Sequence, residues 1–272
     1  MEHKVILVTG ASSGLGKACA DYLVQKGYRV YGTSRKIQKN TTSNSSNVQM
    51  IQMDVNNDTS VIKAISTIIK KEGTIDVVIN NAGWGILGSV EESTLDDTKA
   101  LFETNFFGTL RVIQHILPSM RKQRHGFIVN ISSIGGVLGL PYQGLYSATK
   151  FAVEGMTEAL RLEVASFGIK VVLVEPGDFK TGFTGNRKKN VSRVSSPYHT
   201  CQKNAENVIE HDEQHGSDPI IIGSLIHRII RSSHPKVRYR VGSFSQKFVA
   251  SLKGVISDRI VQWILIKYYK VK

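Results

Sequence analysis

The sequence predicts an α/β protein: one doubly wound parallel β-sheet, helices on both faces, and a C-terminal helical extension. Three observations carry this. Short Val- and Ile-rich runs alternate with longer stretches of helical apolar spacing, in the order βαβαβ and with no internal repeat. Most of these runs lack the polar–apolar alternation of a half-exposed strand, as strands covered on both faces do. A glycine-rich turn directly follows the first run and opens the first helix.

Strands are expected at residues 5–8, 29–33, 48–53, 77–80, 126–131, 170–174 and 238–241. Helical spacing marks 17–25, 61–70, 95–120 and 146–167, with Gly27 and Gly168 where C-terminal caps are wanted. The polar stretch 40–47 is a surface loop by composition. Residues 183–216 are polar and basic, include Arg187-Lys188-Lys189 and show no clean periodicity, so they read as a mobile substrate flap. From 243 to 270, Phe244, Phe248, Leu252, Ile256, Ile260 and Ile264 recur every four positions, with Lys247, Lys253, Arg259 and Lys267 among them. That pattern implies an amphipathic helix or helix pair, which packs on the domain as a wall of the substrate pocket, forms a subunit contact or lies on a membrane surface. Residues 1–242 thus form the α/β domain that carries the site, and 243–272 a basic extension.

Of the 272 residues, 41% are hydrophobic and 21% charged, a globular balance that excludes a disordered chain. Two cysteines, Cys19 and Cys201, exclude a disulfide-stapled scaffold and a four-cysteine zinc site. A reducing, cytoplasmic setting follows. His211 and His215 have i, i+4 spacing but no evident third ligand, so no metal is expected. The N-terminus runs straight into the first strand and carries no signal-peptide pattern, and no apolar run is long enough to span a membrane. The net charge of +13 favours anionic partners. A phosphorylated cofactor, nucleic acid and acidic lipid all qualify.

The turn Thr9-Gly10-Ala11-Ser12-Ser13-Gly14-Leu15-Gly16 gives the charge a use. Gly10 permits a tight turn, Gly14 lets backbone approach a pyrophosphate, and Gly16 lets the helix pack on the strand, while the helix N-terminus offers free N–H donors. Gly10, Ser12, Ser13, Gly14, Leu15 and Gly16 are therefore cofactor-binding candidates. No Walker lysine follows, which disfavours a nucleotide triphosphatase. At the end of the second strand, where NAD-specific sites carry an acid, the chain reads Thr33-Ser34-Arg35-Lys36. Arg35 can bond a phosphate and stack on adenine, and Ser34 adds a hydroxyl, so NADP(H) is favoured over NAD(H). Asp54 and Val55 follow the third strand; the Asp54 carboxylate either holds an adenine amino group or initiates a helix.

Taken with Asn80-Asn81-Ala82-Gly83, Asn105, Ile131-Ser132-Ser133, Tyr146-Ser147-Ala148-Thr149-Lys150 and Pro176-Gly177, that turn has the order and spacing of the short-chain dehydrogenase/reductase family. The resemblance runs from about residue 4 to 183 and is to the core-sized branch, with 175–181 similar to hydroxysteroid and retinol dehydrogenases. It implies a single Rossmann-like domain, a homodimer or homotetramer, and hydride transfer between a nicotinamide cofactor and a carbonyl or alcohol. It also implies Ser133 as the residue that polarises the carbonyl, Lys150 as a partner of the nicotinamide ribose, and Asn105 as the holder of a water linked to Lys150. Asn81, Ala82 and Gly83 match the segment beside the adenosine ribose. Pro176, Gly177, Phe179 and Thr181 match the loop over the nicotinamide, with Lys180 pointing to solvent.

The central chemistry needs no family name. Tyr146 and Lys150 are four apart on a predicted helix, so both side chains leave one face. Two unit charges ~4 Å apart at an effective dielectric of ~20 interact by about 4 kcal/mol, equivalent to ~3 pKa units. A positive nicotinamide ring adds to this, so the phenol is expected to approach neutral pH and to serve as general acid or base. The function expected is NADP(H)-dependent interconversion of an apolar ketone or aldehyde and its alcohol. The alternatives are an NAD-linked dehydrogenase and a basic dinucleotide-binding interaction protein without catalysis. The small-molecule substrate is the partner expected, with no nucleic acid. Trp84, directly after Gly83, is placed near the substrate, and Cys19 reads as a buried structural thiol.

Overall fold

Seven strands form one all-parallel sheet in a computed structural model that describes residues 4–36, 47–182, 185, 187–190 and 194–272. In chain order they are β1 (Val5–Val8), β2 (Arg29–Ser34), β3 (Gln49–Gln52), β4 (Val77–Asn80), β6 (Gly126–Ile131), β7 (Ile169–Pro176) and β9 (Arg238–Val241). Their spatial order is β3-β2-β1-β4-β6-β7-β9, so the direction of winding reverses between β1 and β4. Clefts form at such a reversal, outside the carboxyl ends of the strands. Two short strands, β5 (Ile86–Leu87) and β8 (Lys188–Lys189), pair separately above it.

Both faces of the sheet are buried, which is why the strands do not alternate in polarity. On one face Ile6, Val8, Ile79 and Val129 pack against Cys19 and Leu23 of α1 (Gly14–Gln25) and Ile222, Ile226 and Ile229 of α7 (Ile220–Ile230). On the other, Leu7, Val78, Ile128 and Val171 meet α2 (Asp58–Glu72), α4 (Gly108–Gln123) and α5 (Gly144–Glu163). Asn57 caps α2 by accepting a bond from Ser60 N, and Gly73, at φ 79, ends it.

Three differences from the expectations have local causes. The helix expected over 95–120 divides into α3 (Leu95–Phe102), one π turn (Glu103–Phe107) and α4. The side chain of Asn105, inside the π turn, is bonded to the backbone of Trp84 and holds that irregularity in place. Second, the segment expected to be an irregular flap contains α6 (His199–Gln214), whose buried Gln202, Ala205, Ile209 and Glu213 mark one helix face. Residues 183, 184, 186 and 191–193 of that segment, and 40–46 of the polar loop, lie outside the described residues. Third, α7 has no counterpart among the expected helices. Gly223 lets it come so close to α1 that a Cβ there would strike Tyr22.

The extension is a helix pair, α8 (Phe244–Leu252) and α9 (Asp258–Tyr269). Ala250 and Val261 pack on Ile134 and Leu138, while Tyr269 packs on Leu87, Ala205 and Ile209.

Candidate active site

A cleft of about 640 Å³ opens at the carboxyl ends of the central strands. Gly10, Ser12, Ser13, Gly14, Leu15, Ser34, Arg35, Asp54, Val55, Asn81, Ala82 and Gly83 line one part. Ser133, Tyr146, Lys150, Pro176, Gly177, Phe179 and Thr181 line the other, together with Trp84. Of the catalytic and cofactor-binding candidates named from the sequence, Gly16 and Asn105 do not face it.

The glycine turn is built for close approach. Gly10 (φ 66) and Gly14 (φ 57) adopt left-handed backbone, and a Cβ on Gly16 would collide with the Gly10 carbonyl and the Asn81 side chain. Thr9 Oγ1 accepts bonds from Asn81 N and Ala82 N, each at 2.9 Å, and Asn81 Nδ2 returns one to the Thr9 carbonyl at 3.0 Å. The 81–83 segment thus fixes the shape of the turn. Ser13 starts α1 without a side-chain cap, leaving the first-turn amides to face a ligand.

The lining fits a dinucleotide on independent grounds. Thr33 Oγ1 and Asn56 Oδ1 are buried in the protein wall without hydrogen-bond partners and belong to residues on the cleft surface. Polar atoms so placed call for a polar ligand or water. No carboxylate sits at the end of β2, and Arg35 is exposed there. Asp54 accepts a bond from Asn56 N at 3.0 Å in a tight turn, while Asn57 takes the helix cap. Of the two roles left open for Asp54, initiation of the helix therefore belongs to Asn57.

At the other end, β6 delivers Ser133 and α5 delivers Tyr146 and Lys150. Ser133 caps a single 3-10 turn by accepting Gly135 N at 3.0 Å. Lys150 is buried, donates to the Ile131 carbonyl at 2.9 Å and holds its ammonium 5.7 Å from the centre of the Tyr146 ring. One helix face thus presents both groups to one cavity.

The protonation expected from charge alone needs correction. Tyr146 is pushed up to about 12, because burial disfavours the phenolate more than its hydrogen bond with Ser133 and the charge of Arg187 favour it. Burial likewise brings Lys150 down to about 8, with Glu154 opposing. Without a ligand, desolvation sets the direction of the shift for both groups.

Asn105 is buried one layer behind. It donates to Thr149 Oγ1 at 3.1 Å, and Thr149 donates to the Tyr146 carbonyl at 2.7 Å. The Asn105 carbonyl accepts from Thr109 at 3.0 Å. Lys180 is exposed, and burial pushes the Cys19 thiol up.

The flap and the C-terminal extension, both legible in the sequence as candidate pocket segments, contribute polar groups beside Tyr146 that the sequence did not single out. Arg187 and Glu213 form a buried ion pair, and Asp178, bonded by the Gln246 side chain, is pushed up to about 7, first by burial and then by Glu213. These groups come from the residue before β8, from α6, from the loop after β7, and from α8. Arg187 was visible only as part of a charge run and Gln246 only as a polar position in an amphipathic pattern.

Comparison with known proteins shows the family. The family described as short chain dehydrogenase matches residues 4–192. A 3-ketodihydrosphingosine reductase from Bacteroides thetaiotaomicron is 45% identical over 275 residues, covering 100% of both chains. Human retinol dehydrogenase 8 is 37% identical over 204 residues, 71% of this chain and 65% of that one. The crystal structure of a short-chain dehydrogenase from Streptomyces avermitilis superposes with a TM-score of 0.81 at 32% identity, over 98% of each chain.

Proposed function

The chain belongs to the short-chain dehydrogenase family and is an oxidoreductase acting between CH–OH and C=O; from that premise we propose that it reduces the ketone of a long-chain amino alcohol with NADPH. The observation that carries this reading is the convergence of Ser133, Tyr146 and Lys150 at one end of a cleft whose other end bears Arg35, with no carboxylate where β2 ends.

When bound, the cofactor supplies the hydride. Gly10 to Leu15 would hold its pyrophosphate, Ser34 and Arg35 the 2′-phosphate, and Pro176 to Thr181 the nicotinamide end. The Ser133 hydroxyl orients the carbonyl oxygen. Tyr146, neutral with its pKa near 12, donates its proton to that oxygen as negative charge develops. Lys150 stabilises the phenolate left behind. One hydride to carbon and one proton to oxygen complete the alcohol. The protonated phenol is the form that reduction needs at the outset, whereas oxidation needs the phenolate.

The substrate class draws on the relative named as a 3-ketodihydrosphingosine reductase, matched over its whole length. That compound bears an amine beside its ketone and a long apolar tail. Glu213 is paired with Arg187, which leaves Asp178 and Asp212 as the carboxyl groups on the cleft wall that would receive an amine, while Leu140, Ile209 and Tyr269 provide apolar wall. The test is turnover of 3-ketodihydrosphingosine, retinal and a steroid ketone, each with NADPH and NADH, followed by loss of reduced-cofactor absorbance and product identification. Preferential reduction of the amino ketone with NADPH supports the proposal. Retinal as the preferred substrate, or equal use of NADH, contradicts it.

A further inference from the structure

The C-terminal helix pair turns one face to the domain and leaves the other bare. Inward, Ala250, Val261 and Tyr269 are buried, and Gln246 and Tyr269 reach the cleft wall. Outward, Phe244 is 78% exposed, Trp263 60%, and Val255 in the connecting turn 80%. Phe248 stacks on Phe244 with ring centres 6.0 Å apart. Single exposed apolar side chains are ordinary, but a run of them along two successive helices and their turn marks an interaction surface.

The charge around this surface selects the occupant. Residues 243–272 carry six Lys and Arg and one acid, Asp258. Arg259, Lys267 and Lys270 line a shallow depression with Trp263 and Ile266. Protein–protein interfaces are depleted in Lys, whereas helices lying on lipid carry Lys and Arg beside Trp, Phe and aliphatic side chains. Each cation near an anionic leaflet adds an attraction that salt screens.

We propose that α8 and α9 form a peripheral docking surface for the headgroup region of an anionic lipid bilayer, holding the adjoining cleft against the phase in which an apolar substrate resides. The docking stands on the surface's own chemistry; only the delivery of substrate rests on the function proposed above.

The full chain is sedimented with phosphatidylcholine vesicles and with vesicles containing phosphatidylglycerol, beside the variants Phe244→Ser/Trp263→Ser and Lys247→Glu/Arg259→Glu. The wild type is expected to pellet with the anionic vesicles and to be released by salt. Each double variant should bind them at least about tenfold more weakly, while NADPH affinity stays unchanged. Failure to pellet with anionic vesicles overturns the proposal, as does pelleting retained by both variants. Self-association lost in the Phe244/Trp263 variant, with no vesicle binding, also overturns it and assigns the surface to contact between copies. Pelleting without turnover of any ketone upholds docking and removes the functional reading, so the two can fail separately.

Discussion

Burial, more than charge, sets the protonation of Tyr146 and Lys150, and this has a consequence for stability. Lys150 titrates near 8 in the folded chain against 10.5 for an ordinary lysine. Below pH 8 both states carry the ammonium, and the folded state bears the full cost of burying it. Between pH 8 and 10.5 the unfolded chain binds the proton that the folded chain has released, so stability rises with pH. Tyr146 acts in the opposite sense above pH 10, where the unfolded phenol ionises first. Urea unfolding of the cofactor-free protein and of Lys150→Met should therefore show the wild type gaining on the order of 2 kcal/mol relative to the variant between pH 8 and 10. A pH-independent difference would mean that Lys150 is not desolvated as described. At the other end of the cleft, Arg35→Asp should weaken NADPH binding about tenfold or more and raise the relative affinity for NADH. Equal loss of both cofactors would place recognition of the phosphate elsewhere. The Tyr146–Lys150 pairing was legible from spacing of four on a helix, but their proton affinities were not, because burial depends on Ile131, Glu154 and β6, which spacing does not reveal.

At the scale of elements, the glycines separate two kinds of packing. Gly16 lies where any Cβ meets backbone, whereas Gly155, on the exposed side of α5, has no neighbour within 4 Å of a Cβ position. Gly16→Ala should destabilise the chain by about 1–3 kcal/mol and impair NADPH binding. Gly155→Ala should stabilise it by about 0.5–1 kcal/mol with activity unchanged. Chemical denaturation and cofactor titration of the two variants check both, and equal effects would contradict the packing described. The central strands were readable because two-faced burial demands unbroken apolar runs. Less readable was the π turn at Glu103–Phe107, since it depends on a bond between Asn105 and Trp84, 21 positions apart. α7 escaped notice for a different reason: Ile220-Ile221-Ile222 and Ile229-Ile230 are β-branched, and the helix forms because α1 and the sheet bury its face.

The whole molecule distributes the site across its chain. The cofactor end was legible because one turn and one strand terminus carry most of it. The substrate wall was not, since Asp178, Arg187, Glu213, Gln246 and Tyr269 meet only after the sheet, β8, α6 and the C-terminal pair have assembled. A ligand that bridges β1, β2, β6 and β7 should stabilise all of them together. NADPH at a hundredfold excess over its Kd is expected to add about 2.7 kcal/mol and raise Tm by about 5–10 °C. A thermal scan with no shift would contradict cofactor binding in this cleft. The most direct test of the account is single-turnover oxidation of bound NADPH by 3-ketodihydrosphingosine in the wild type and in Tyr146→Phe, with NADPH affinity measured on both. The account predicts matched affinities and a rate about 10²–10⁴-fold lower in the variant; a rate close to that of the wild type would contradict it.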